Sequence, residues 1–195
     1  MTRVIFLIVF VCAGIGMTYY TNQPKEEPLP IINPIDLIEE DVVDEGLLRV
    51  GMGHTIGKFS FKNQEGKTIS DKDVKGKVYV AEYFFTTCGT ICPKMNLEMQ
   101  KVQKAYIGNK NFKILSFTVD PEVDKVEQMK NYADGHKAHA SQWWFLTGEK
   151  EELYSLARKS FFLLKPAEAA NLGDVGSDFI HTNNFVLIDK QMRIR

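Results

Sequence analysis

Residues 77–93 read KVYVAEYFFTTCGTICP. The first ten, Lys77 to Thr86, are dense in β-branched and aromatic side chains, the composition of a central strand buried on both faces. The run leads straight to Cys88 and Cys92, with Pro93 directly behind them. After Pro93 the period changes. In KMNLEMQKVQKAY, Met95, Met99 and Val102 recur on one side of a helix. Pro93 suits the start of that helix, where its missing N–H is not needed. A strand that passes through two cysteines into a helix puts both at the carboxyl end of a core strand, where open α/β sheets hold their chemistry.

Working outward, Phe112 to Val119 (FKILSFTV) reads as a second buried strand, broken by Asp120-Pro121 and followed by a helix from Glu122 to Ala133. Trp143 to Leu146 is a short strand, and Thr147 is positioned to cap a helix over Glu149 to Lys159. Phe185 to Ile188 is another strand, with a turn at Asp189-Lys190-Gln191 and a returning partner from Met192 to Arg195. Upstream, Phe59-Ser60-Phe61 alternates, Asn63 to Gly66 turns, and Lys67-Thr68-Ile69 returns as a hairpin. This order predicts an α/β domain with a thioredoxin-like fold over residues 51–195. It would have a central mixed sheet flanked by helices and an N-terminal hairpin extension.

The N-terminus, MTRVIFLIVFVCAGIGMTYYTNQ, has Arg3 and then an uncharged stretch, apolar from Val4 to Met17. Residues 1–20 read as a membrane anchor or signal segment, short for a span unless Thr18, Tyr19 and Tyr20 carry it into the interface. No A-x-A cleavage site follows, which favours an uncleaved anchor with Arg3 cytoplasmic and the rest of the chain outside. Cys12 follows Val9, Phe10 and Val11, which is not a lipidation pattern, and reads as a small apolar residue. Residues 21–50 read as a linker and N-terminal extension. Four prolines, at 24, 28, 30 and 34, exclude a helix over 21–36 and predict an extended chain.

The 195 residues carry a net charge of −1, so nothing electrostatic points to nucleic acid. With Cys12 in the apolar run, Cys88 and Cys92 are the one pair outside it, too few cysteines for a disulfide scaffold. A thiol at a strand-to-helix junction feels the positive end of the helix dipole, which lowers its pKa. Spacing of four sets two thiols about one helical turn apart on one face. Such a pair can close a disulfide, exchange electrons with a partner, or bind a soft ion such as Cu(I) or Zn(II). Chemistry alone leaves those three open. A peroxidase is disfavoured because no Arg lies near TTCGTICP.

A metal site needs a third ligand. Four histidines are present. His136 and His139 form HKAH in a polar stretch and read as a solvated loop, and His54 is expected on the surface. His181, in SDFIHTNN before the FVLI strand, falls in a loop at the same end of the sheet as the cysteines, although a hydrogen-bonded loop histidine would look the same. Met95 and Met99 read as core packing and not thioether ligands; Trp143 and Trp144 read as strand packing.

From about His54 to its end the chain resembles the SCO/SenC family, thioredoxin-fold proteins that deliver copper to the binuclear copper centre of cytochrome c oxidase. The resemblance is carried by FFTTCGTICPKM, FTVDPEVDKVEQMKNYA, WWFLTG and DFIHTNNFVLID. It implies that Cys88 and Cys92 are thiolate ligands, that His181 is the imidazole ligand, and that Asp178 orients the site. One Cu(I) or Cu(II) per chain would be the cargo. The implied partners are the copper-site subunit of the oxidase, an upstream copper donor or thiol reductant, and the cytoplasmic membrane, with the domain facing the periplasm or outside. It also implies a C-terminal helix that this sequence, stopping at Arg195 within a strand, lacks. The alternative role is a thiol–disulfide reductase acting on the oxidase's copper-site cysteines.

Overall fold

The computed structural model describes residues 2–22, 27–37, 51–163 and 184–195. It divides into two compact units, Met1–Pro30 and Ile31–Arg195.

Among the described residues, the first unit holds one helix, α1 (Thr2–Thr21). Its Arg3–Thr21 portion has a mean hydropathy of 2.0 and is long and apolar enough to cross a membrane. The helix runs past the apolar block because its threonines satisfy themselves. The Thr18 hydroxyl donates to Gly14 O and Ile15 O, and the Thr21 hydroxyl to Met17 O and Thr18 O. Neither hydroxyl therefore needs water.

In the second unit the strands are β1 (Ser60–Asn63), β2 (Thr68–Ser70), β3 (Val78–Phe84), β4 (Phe112–Thr118), β5 (Trp143–Thr147) and β6 (Val186–Ile188). They form one mixed sheet in the order β2-β1-β5-β4-β3-β6. β3, β4 and β5 are parallel neighbours, while β6 and the β1–β2 hairpin add antiparallel edges. The expected hairpin extension is present. Its turn is built on Asn63, whose Oδ1 accepts from Glu65 N and Lys67 N, and on Gly66 at φ +74°.

Helix α3 (Cys92–Ala105) joins β3 to β4, and α4 (Val126–Gly135) joins β4 to β5. Met99, Met129 and Ala133 pack with Phe84, Ile114, Trp143 and Phe145 on one face of the sheet. On the other face, Tyr79, Ala81, Tyr83, Leu115 and Phe117 pack under α5 (Lys150–Lys159), α2 (Asp71–Val74) and the hairpin. β3 therefore has no solvent face, which is why its sequence shows no alternation of polar and apolar residues. The thioredoxin-like α/β expectation holds, and Met95, Met99 and Trp143 are core residues as read.

Several local expectations are corrected. α4 starts at Val126, not Glu122, because Asp120–Lys125 forms a turn with the Asp124 N–H on Asp120 O at 2.8 Å. Thr147 does not cap α5; it is the last residue of β5, paired with Lys62. The linker is not extended throughout. Pro34–Asp36 is one turn of 3-10 helix, possible because Pro34 stands at its first position and Asp36 Oδ2 accepts from the Asn33 N–H at 2.8 Å. Finally, His54 is buried at 6% exposure, with Nε2 2.9 Å from Ser160 O and its N–H on Asn33 Oδ1. The returning strand after β6 is reduced to Ile194, bridged to Ile188 on one side and Ile32 on the other.

Candidate metal and thiol site

Cys88 and Cys92 reach the end of β3 by different routes. After Phe84 the chain turns over Thr86 and Thr87, and the Cys88 N–H donates to Phe85 O at 3.2 Å. Cys92 is the first residue of α3, whose preceding residue Ile91 accepts from the N–H groups of Lys94 and Met95. Residues 89–91 are not helical. The thiols are thus not stacked one helical turn apart, as their spacing suggests. Thr86 is tied sideways to Asp124, so the chain does not settle into α3 until Cys92. The two thiols still share one buried cluster and act on each other's ionisation, and neither is in a disulfide.

Both are buried, at 8% and 3% exposure, beneath Thr87, Gly89 and Thr90, which are exposed. Their protonation is unequal. Burial opposes ionisation of Cys88, but hydrogen bonds from the Cys92 thiol and N–H, and then from Thr90, outweigh it and bring Cys88 down to about 7. The Thr90 hydroxyl lies 3.8 Å from Cys88 Sγ. Cys92 is pushed up to about 12 by burial first and by its hydrogen bond to Cys88 second. Near neutral pH, Cys88 is the thiol that ionises, and Cys92 keeps its proton and donates it to the neighbouring sulfur.

A third acidic group stands on the same face of the sheet. Glu82 in β3 is paired in register with Ser116 of β4 and is 1% exposed. Its Oε1 accepts from the Ser116 hydroxyl at 2.6 Å, and Ser116 Oγ accepts from Trp143 Nε1 at 2.8 Å. Its Oε2 has no hydrogen-bond partner among the described residues. Burial pushes Glu82 up to about 7 against that one hydrogen bond. Its negative charge, when present, acts on Cys92 and on Tyr132. Tyr132 of α4 accepts from Asn96 Nδ2 at 2.6 Å, and burial holds its phenol well above the ordinary value. Asn96 Nδ2 is also 3.4 Å from His136 Nε2, so His136 is packed and half-buried and not solvated, whereas His139 is exposed as expected.

Glu82 and Asp124 are the functional candidates the sequence reading missed. For Glu82 the signal was present: one acidic residue inside a run with no solvent face. His181 and Asp178 lie outside the described residues. Among the described residues, no cluster of three His, Cys, Asp or Glu forms, so of the expected ligand set they bring together only the two thiols.

The sequence model of the SCO1/SenC family matches residues 50–195. The chain belongs to this family. An SCO1 protein homologue of Bacillus subtilis is 37% identical over 139 residues, 70% of this chain and 69% of that one. Among solved structures, BsSco, a member of the Sco family of cytochrome c oxidase assembly proteins in which a disulfide switch was identified, superposes with a TM-score of 0.61. It is 36% identical, over 73% of this chain and 81% of that one. Bradyrhizobium japonicum ScoI with copper bound gives a TM-score of 0.60 at 26% identity, over 73% of this SCO1/SenC chain and 87% of ScoI.

Proposed function

We propose that this SCO1/SenC protein is a membrane-anchored copper chaperone for cytochrome c oxidase assembly. It would bind one copper through Cys88, Cys92 and His181 and pass it to the copper-site subunit of the oxidase by ligand exchange. The observation that carries this reading is the thiol pair: two adjoining sulfurs, one of them lowered to about 7, at a strand end beneath an exposed loop. Thiolates are soft donors, and two of them with one imidazole suit Cu(I) while still accepting Cu(II). Copper-bound ScoI supports the cargo, and BsSco supports the oxidase as partner. α1 is the proposed anchor, with Arg3 cytoplasmic and the domain outside the cytoplasmic membrane. Asp178, three residues before His181, is proposed to orient the imidazole.

The test is metal content and X-ray absorption of the reduced soluble domain. Wild type is expected to hold one copper per chain with sulfur and nitrogen scatterers. Cys88→Ser is expected to lose copper on desalting. His181→Ala is expected to lose the nitrogen scatterer and to bind copper more weakly than wild type. Unchanged coordination in His181→Ala would sink the three-ligand site.

One observation favours a second role, thiol–disulfide reduction of the oxidase's copper-site cysteines. The unequal thiols suit a nucleophile and a resolving group. The Cys88 thiolate would attack a partner disulfide, forming a mixed disulfide and releasing one partner thiolate. Cys92 would then displace the second, leaving a Cys88–Cys92 disulfide and a partner dithiol. Two electrons pass to the partner, and the Cys92 proton goes to the leaving sulfur. Turnover on an oxidised partner peptide without copper is expected for this role, and a requirement for copper excludes it.

A further inference from the structure

The turn that carries Cys88 does not stand alone. Thr86, the second residue of the Phe85–Cys88 turn, spends both of its donors on one carboxylate. Its N–H donates to Asp124 at 3.2 Å (Oδ2) and 3.3 Å (Oδ1), and its hydroxyl donates to Asp124 Oδ1. Gln128 Nε2 donates to Thr86 Oγ1 at 3.2 Å. Asp124 is fully buried, and its Oδ2 also accepts from the Thr118 hydroxyl at 2.5 Å. It belongs to the β4–α4 turn, where its own N–H is held by Asp120 O. One side chain thus joins three elements: the end of β3, the end of β4, and the turn into α4.

Burying a carboxylate without a cation beside it is costly, and among the described residues the charge acting on Asp124 is that of Asp120, of the same sign. A fold needing only a turn here could use an apolar or amide residue. What a carboxylate adds is acceptor capacity on both oxygens, matched to three O–H and N–H donors, two of them from a central residue of the cysteine turn.

We propose that Asp124 is a positioning residue for the thiol site, and that through Thr86 it fixes Cys88 at the separation from Cys92 that pairing requires. This rests on Cys88 and Cys92 being the working pair, but not on copper being the cargo. Asparagine is close in shape, yet its NH2 group would face the Thr86 or the Thr118 donor with a donor of its own. The Cys88 turn would then be free to move relative to α3, and the effective concentration of one thiol at the other would fall.

The test is metal-free. The equilibrium between the Cys88–Cys92 dithiol and its disulfide is measured in dithiothreitol buffers for the full domain, with folding followed by circular dichroism. Thr86→Val and Asp124→Asn are each expected to shift the equilibrium toward the dithiol by about 10- to 100-fold, the scale of a misplacement of about 1 Å. The double variant is expected to shift it no further than one single variant, because both cut the same link. Thr86→Ser, which keeps both donors, is expected to match wild type. Thr118→Val breaks a bond to the same carboxylate on the β4 side. It is expected to lower thermal stability and leave the equilibrium within about twofold of wild type. If Asp124→Asn does not fold, Thr86→Val carries the test. The proposal is overturned if folded Thr86→Val keeps the wild-type equilibrium, or if Thr118→Val shifts it as much. Wild type failing to bind copper would sink the chaperone reading and leave this measurement intact.

Discussion

Glu82→Gln is expected to flatten the fall in stability that wild type shows between pH 4.5 and 7. In the unfolded chain Glu82 ionises near its ordinary 4.5, while burial in the fold holds it up to about 7. Below pH 4.5 the carboxyl is protonated in both states and contributes no pH dependence. Between the two values unfolding releases a proton, so the folded state loses stability as pH rises. Above about 7 the loss is complete, and the interval is worth about 3 kcal/mol. Glutamine is neutral throughout and keeps an oxygen for the Ser116 hydroxyl. Denaturant unfolding of the reduced, metal-free domain at several pH values should show the two proteins converging near pH 4.5. By pH 8 the variant should be ahead by about 3 kcal/mol. Parallel curves for the two would mean that Glu82 is ionised in the fold, paired with something other than Ser116.

The second large effect belongs to Phe117 on β4. Its ring is fully buried and meets four others, those of Phe59 at 5.7 Å, Phe61 at 6.0 Å, Tyr83 at 5.2 Å and Phe161 at 5.6 Å. Three are edge-on or tilted and one is stacked, arrangements that aromatic quadrupoles favour. Phe117→Ala removes the shared member and leaves a cavity that stiff neighbours close poorly. The expected cost is about 3–5 kcal/mol, against a total of about 5–15 kcal/mol for a domain. Chemical denaturation of the soluble domain measures it. A loss below about 1 kcal/mol would show that the hairpin and the Phe161 segment collapse onto the gap. The dithiol equilibrium of the molecules still folded should stay at its wild-type value, because Phe117 points away from the thiols.

How much of this was legible beforehand follows from which forces are local. β3, β4 and β5 were legible because strands covered on both faces need unbroken apolar runs, and α3 because its apolar period is that of a helix. The cysteine loop was legible as a junction between two such patterns. The start of α4 was not, because it depends on where the Asp124 side chain goes, and Thr86 and Thr118 are distant in sequence or on another strand. For the same reason Thr147 looked like a cap, although its backbone was already committed to Lys62. His54 looked like a surface residue because its partners, Asn33 and Ser160, lie 21 and 106 residues away. The two thiols were legible as a pair at the end of a core strand, but their inequality depends on burial and on their interaction with each other, which spacing does not encode.

The sheet also works as a partition. Cys88, Cys92, Glu82, Ser116 and Asp124 belong to its α3–α4 side, while the aromatic cluster around Phe117 fills the other. Phe85, three residues before Cys88, packs against both. Substitutions far apart with no shared partners add independently. A lineage can therefore drift on the aromatic side, trading stability for a colder or hotter habitat, while the reactivity of the thiols is inherited unchanged. Phe85 is where that independence ends, and where changes selected for robustness would first be felt as changes in chemistry.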